Sequence, residues 1–112
     1  PSMPHSNRPI SAHARHAITV LGSLLRTARV ERNMSQAQLA ERLGVSRHTV
    51  IALEKGKPKV GIGIAFEAAV LLGIPLLVND ERALTKLDAS LAALATILPA
   101  RAGRKPAALN DD

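Results

Sequence analysis

The sequence of 112 residues predicts an all-α domain of five helices. Three observations carry that expectation. Apolar residues recur at steps of three and four along five separate stretches. Capping residues stand at the head of three of them (Ser35, Ser46 and Asp80), and Asn33, Gly44, Gly56, Gly73 or Pro99 closes each one. The length is about one domain's worth, and 46% hydrophobic residues, almost wholly Leu, Ala, Val and Ile, suffice for a core.

Taken in order, residues 1–13 carry Pro, Ser, Asn and His without periodicity and read as a flexible arm. An arm of this kind offers Arg8 and Arg15 to a DNA groove. His5, His13 and His16 have no Cys, Asp or Glu beside them, so they read as solvent-facing and not as metal ligands. The domain proper is expected over 14–98. Its first helix begins between Ile10 and Ala14, runs to Arg32 on Ile18, Leu21, Leu25 and Ala28, and stops at Asn33.

The second and third helices, Gln36 to Leu43 and Arg47 to Glu54, are the most strongly specified. Ser35 with Gln38 forms a capping box, and the Ser46 hydroxyl caps the next segment. Gly44-Val45-Ser46 between them is too short for anything but a sharp turn, so the pair is a helix-turn-helix. Leu39, Leu43, Val50 and Leu53 fall on one seam, Val45 closes it from the turn, and Ala40 permits a close crossing. Gly44 stands where the chain must turn left-handed, at a cost of roughly 1 to 2 kcal/mol to a residue with a Cβ, so Gly44→Val is expected to unfold the motif.

Lys55-Gly56-Lys57-Pro58-Lys59 stops the third helix. A fourth is expected over Ile64 to Leu72, with Ala65, Ala68, Ala69 and Leu72 on its inner face and Phe66, the one aromatic, as core filler. Asp80 caps a fifth, Glu81 to Leu98, whose leucines stand at 84, 87, 91, 94 and 98. A single exposed helix does not keep such a stripe dry. It is longer than one flank of a four-helix domain covers, so Leu84, Leu87, Leu91, Leu94 and Leu98 are expected to meet a second copy of the chain or another protein. Residues 99–112, basic at Arg101, Arg104 and Lys105 and ending in Asp-Asp, read as a flexible tail that orders on a partner.

Function follows from what the seam leaves over. Arg47, His48, Thr49, Ile51 and Ala52 face away from Val50 and Leu53 and have no core to pack against, so that face is free for a partner. The formal net charge of +6 favours a polyanion. Arg47, Lys55, Lys57 and Lys59 lie on or just beyond the third helix, whereas Asp80, Glu81, Asp88, Asp111 and Asp112 fall in the C-terminal third. Arg29, near the stripe of the first helix, is expected to pair with Glu54 at the end of the third. With a single aromatic, base-stacking RNA recognition and an aromatic-lined ligand pocket lack their residues. With no cysteine there is no disulfide frame, thiolate metal site or thiol nucleophile, and the chain suits a reducing cytoplasm. The most apolar stretch, Ile62 to Val78, is cut by Gly63, Glu67, Gly73 and Pro75 and is not a membrane span. No acid/base pair or nucleophile set converges, so neither an enzyme nor a cofactor is expected.

From about Leu21 to Ile74 the chain resembles the lambda-repressor-like (Cro/Xre) DNA-binding domains, five-helix bundles whose signature residues match Gln36, Leu39-Ala40, Gly44-Val45-Ser46, Val50 and Glu54-Lys55-Gly56. Within that family, Lys57 to Gly63, Ala65 to Ala69, the Leu-rich helix after Asp80 and Leu98-Pro99 look most like HipB-type antitoxins, encoded beside HipA-like Ser/Thr kinase toxins. The resemblance implies that Gln36 caps the first motif helix and touches a phosphate, that Arg47, His48 and Ala52 face base edges, and that Arg29 and Glu54 form the family's buried pair. Thr49 is placed with the base-facing residues, and Ser46, Lys55, Lys57 and Lys59 with Gln36 on the backbone. Arg47 suits guanine N7 and O6, and His48 a guanine or a phosphate. Ala52 departs from the hydrogen-bonding residue common in phage repressors, which with Ile51 leaves apolar contact to a thymine methyl. The implied protein is a bacterial, cytoplasmic homodimer on a palindromic operator, repressing its own operon and neutralising a kinase toxin; the alternative is a stand-alone Xre-family regulator.

Overall fold

The Ser11 hydroxyl accepts from the Ala14 amide and opens the first of five helices in the computed structural model, which describes residues 9–98. These are α1 (Ala12–Glu31), α2 (Gln36–Leu43), α3 (Arg47–Glu54), α4 (Ile62–Leu72) and α5 (Glu81–Ile97), with no strand among the described residues. His5, Arg8 and the tail from Pro99 to Asp112 lie outside those residues. The chain divides into one unit ending at Leu76, which holds α1 to α4, and a second beginning at Leu77, which holds α5.

The four helices of the first unit end alike. At α2 the Val45 amide donates to the Ala40 carbonyl and the Gly44 amide to Glu41; at α3 Lys57 donates to Ala52 and Gly56 to Leu53; at α4 Ile74 donates to Ala69 and Gly73 to Val70. At α1 Met34 donates to Arg29 and Asn33 to Val30, with Asn33 at φ 55° serving where the others use glycine. Each is a Schellman closure, which satisfies carbonyls that a helix end leaves orphaned and reverses the chain within two residues. The short connections therefore hold α3 against both α1 and α2, and α4 against both α1 and α2.

The core they enclose is Leu25, Ala28, Leu39, Ala40, Val50, Leu53, Ala68, Ala69 and Leu72. Leu21, Leu43, Val45, Ile64 and Leu76 pack on it partly buried. Gly22 lets α1 approach the end of α3. A Cβ there would stand 2.6 Å from the Leu53 carbonyl oxygen and 2.7 Å from that of Glu54. Gly56, at φ +74°, would put a Cβ 2.6 Å from the Thr19 Cα. The α1–α3 crossing is thus made of backbone on backbone, with a glycine on each side.

Phe66 is not core filler. It is 37% exposed, in a row with Ile62 at 75% and Val70 at 74%. These residues stand at i, i+4 and i+8 on an exposed side of α4, while Ala68, Ala69 and Leu72 are buried. The inner face is lined with alanines, which bring α4 close to α1 and α2 and leave no room for a ring. α4 also starts earlier than Ile64, at Ile62, after Gly61, which has no side chain to mark the start. α5 opens on the Asp80 carboxylate, which accepts from the Ala83 amide at 2.8 Å. None of its residues is buried: Leu84, Leu91 and Leu94 are exposed and Leu87 is half-buried, and the helix stops at Ile97, one residue short of the expected Leu98, which is exposed just past its end.

Candidate nucleic-acid interface

The turn between α2 and α3 aims the start of α3 into solvent. Ser35 Oγ accepts from the Gln38 amide at 3.0 Å, and Gln38 Oε1 accepts from the Ser35 amide at 2.8 Å. This reciprocal box makes Ser35 the cap of α2. Gln36 is the first helical residue and has another occupation, which corrects its expected capping role. At α3, Ser46 Oγ accepts from the Thr49 amide at 3.2 Å and lies 3.1 Å from Thr49 Oγ1. Both helix starts are therefore fixed by local capping side chains, that of α3 by Ser46 of the turn itself, and the direction of α3 is set locally.

Arg47 and His48 are exposed on the first turn of α3, beside the capping Ser46. Thr49, Ile51 and Ala52 are half-buried, so the outward face is narrower than the sequence suggests. Thr49 turns its hydroxyl to the Ser46 cap, and Ile51 and Ala52 lie close enough to the seam to be shielded on one side. At the other end of the helix Lys55, Lys57 and Lys59 are exposed around the Schellman closure. The one ion pair among the described residues lies elsewhere, leaving all four of these cations without an acidic partner there. Cationic groups thus flank the narrow outward face of a short helix at both ends, the arrangement that suits two rows of phosphates on either side of a groove.

Behind that face stands a buried charge cluster. Arg29 of α1 places Nε 2.6 Å from Glu54 Oε2 and Nη2 3.1 Å from Oε1, with the two side chains only 10% and 3% exposed. Its remaining arm, Nη1, donates to the Met34 carbonyl at 2.7 Å. Gln36 Nε2 donates to Glu54 Oε1 at 3.1 Å. Every buried polar side-chain atom among the described residues has a partner. The fork-to-fork geometry is that of a charge-assisted pair. Removing one member of such a pair costs about 3 to 5 kcal/mol, because the other is left buried and charged. The cluster ties α1, α2 and α3 into one block, so the exposed first turn of α3 rides on a rigid base.

Of the residues singled out from sequence, the structure brings Arg29, Gln36 and Glu54 together in the cluster, and places Ser46, Arg47 and His48 side by side at the start of α3. Lys55, Lys57 and Lys59 form the far rim. The leucines of α5 belong to the other unit. Sequence reasoning missed the Gln36–Glu54 bond and Gly22. The first has no signature in spacing, since the two residues meet only after α2 and α3 have packed. The second stands in a helical stretch where glycine has no local reason to be, and that misfit is itself a signal of close approach.

No solved structure matches the chain significantly. A helix-turn-helix family model, HTH_3, matches residues 25–79. An uncharacterized HTH-type transcriptional regulator of Methanocaldococcus jannaschii is 42% identical over 52 residues, 46% of this chain and 79% of that protein. A second, from Methanothermobacter thermautotrophicus, is 45% identical over 51 residues, covering 46% and 74%. The cryptic phage CTXphi transcriptional repressor RstR of Vibrio cholerae is 32% identical over 74 residues, covering 64% and 65%. Residues 25–79 include α2, the turn, α3 and the residues of the charge cluster, and with these relatives the match places the chain in the HTH_3 family of Cro/Xre-like helix-turn-helix proteins.

Proposed function

We propose that this chain is a sequence-specific repressor that binds double-stranded DNA as a homodimer and regulates transcription from its own promoter. The observation that carries the reading is the exposed pair Arg47–His48 at the capped start of α3, with Lys55, Lys57 and Lys59 at the other end, none of these four cations (Arg47 and the three lysines) having an acidic partner among the described residues. In this reading α3 enters the major groove. Arg47 and His48 read base edges, Ala52 with Ile51 touches a thymine methyl, and Thr49 holds the Ser46 cap in place beneath them. Gln36, Ser46, Lys55, Lys57 and Lys59 meet the backbone. The relatives, named as transcriptional regulators and a phage repressor, support it. No helix among the described residues is long and apolar enough to cross a membrane.

A finer reading makes the chain the antitoxin of a HipBA-like module, with α5 and the segment after it engaging a HipA-like kinase toxin. It rests on the resemblance of Lys57 to Gly63 and Ala65 to Ala69 and on the exposed leucines of α5. A stand-alone regulator is the competing reading, and the neighbouring reading frame decides between them: a kinase-like gene whose product co-purifies with this chain supports the antitoxin.

The test of the DNA reading is fluorescence anisotropy on the duplex upstream of the chain's own gene, repeated across salt concentrations and followed by footprinting. The expected result is a log affinity that falls linearly with log salt, by about 0.9 per phosphate engaged, with two protected half-sites. An affinity indifferent to salt overturns the proposal.

A further inference from the structure

Glu54 does more in this fold than neutralise Arg29. Its carboxylate receives three donors from two different elements: Arg29 Nε on Oε2, and both Arg29 Nη2 and Gln36 Nε2 on Oε1. The brace between α1 and α3 needs only the guanidinium. Gln36 is half-buried at the first position of α2, where water would satisfy its amide at little cost. Its presence in the cluster is therefore not required for burial.

The chemistry of the acceptor fixes how the amide lies. An ionised carboxylate accepts and cannot donate, so the Gln36 amide must turn its NH2 group, and not its carbonyl, towards Glu54. One N–H is then used, and the second has no partner among the described residues, at the first position of α2. Arg29 holds the carboxylate from behind and at the same time grips the Met34 carbonyl, two residues ahead of Gln36, so the segment leading into α2 is held by the same guanidinium. A free surface glutamine freezes its rotamers on meeting a ligand; this one is already frozen, and pre-organisation of that kind lowers the entropic loss on binding.

We propose that Glu54, itself held by Arg29, is a positioning residue for the DNA backbone: it presents the Gln36 amide so that the free N–H donates to a phosphate oxygen. The proposal rests on the DNA-binding reading above and adds a residue that touches no DNA to the determinants of affinity. Because a phosphate contact is indifferent to sequence, it is measurable on any duplex.

The experiment compares wild type, Gln36→Ala, Glu54→Gln and the double variant, each shown to be folded by a thermal melt. All are titrated against one arbitrary duplex of roughly 30 base pairs at low salt. With Gln36 present, Glu54→Gln is expected to weaken binding by about five- to tenfold, the scale of one ordinary net hydrogen bond. In the Gln36→Ala background the same change is expected to have less than about a twofold effect, since there is no amide left to position. Equal losses in both backgrounds overturn the proposal and leave Glu54 a brace only. If Glu54→Gln does not fold, Gln36→Asn takes its place. That amide is one methylene too short to reach Glu54, and its binding is expected to fall to the level of Gln36→Ala; binding like wild type overturns the proposal. Failure of the wild type to bind any duplex in a salt-dependent way is a different result, which overturns the DNA reading and this inference with it.

Discussion

Two glycines of the same domain are there for opposite reasons, and substitution separates them. Gly44 sits at φ +71° with nothing within 4 Å of where a Cβ would be. Alanine there meets backbone strain alone, about 1 to 2 kcal/mol. Gly22 is helical, and alanine is by propensity the better helix former, yet its Cβ would stand 2.6 and 2.7 Å from two carbonyl oxygens of α3. Neither backbone gives way easily, so Gly22→Ala forces α1 away from Leu53 and Glu54 at an overpacking cost of about 2 to 3 kcal/mol. It also stretches the Arg29–Glu54 bonds. Urea denaturation is expected to place the midpoint of Gly22→Ala below that of Gly44→Ala, and the reverse order would mean that the α1–α3 crossing is looser than these distances require. The same open space at Gly44 limits what valine does there: the penalty is conformational, not a collision. Against a marginal stability of about 5 to 15 kcal/mol, Gly44→Val weakens the motif in proportion to that strain.

At the scale of the element, α3 is a short helix with two kinds of cation, and their roles are expected to separate. Arg47 stands on the first turn, where a bidentate contact to guanine is within reach of a groove-bound helix, and Arg47→Ala is expected to cost about 1 to 3 kcal/mol and to relax preference at one base position. Lys57 stands past the end of α3, where its backbone amide completes the Schellman closure and its side chain is exposed, and Lys57→Ala is expected to weaken all sequences alike while reducing the salt slope by about 1. Competition binding against a library of single-base operator variants reads both; an unchanged preference in Arg47→Ala would place the reading face elsewhere. That such assignments could be made from sequence reflects how local the motif is. Ser35 with Gln38, Gly44 and Ser46 specify two helix starts and one stop within a dozen residues, and the bounds Gln36–Leu43 and Arg47–Glu54 follow from them. What was not legible depends on tertiary contact. α4 is apolar on nearly every side, so periodicity does not say which face is covered, and Phe66 was placed inside when the alanines had taken that side. The bond from Gln36 to Glu54 joins residues eighteen apart, and no pattern along the chain announces it.

For the whole molecule the open question is what covers α5. Its leucines at 84, 87, 91, 94 and 98 alternate steps of three and four, a two-in-seven seam, narrower than the broad apolar face of a helix buried in a globular core. A seam of that form suits a second helix of the same kind. Each leucine moved fully out of water contributes roughly 1.5 to 3 kcal/mol, enough across a pair of helices to offset the entropy of association. The DNA reading needs such a pairing, because two recognition helices in successive major grooves must be held about 34 Å apart. Leu91→Asp places a charge in the middle of the seam and changes no residue of α2 or α3. It is expected to convert the dimer to monomer in analytical ultracentrifugation while leaving the melt of the first unit unchanged. Operator affinity is then expected to fall by about 10²- to 10⁴-fold, the loss of effective concentration when two linked sites become independent. Weak, salt-dependent binding to any duplex persists, since the cations of each α3 remain. If Leu91→Asp stayed dimeric and protected both half-sites, the pairing would have to lie outside α5, and the leucine seam would be left for a different protein to cover.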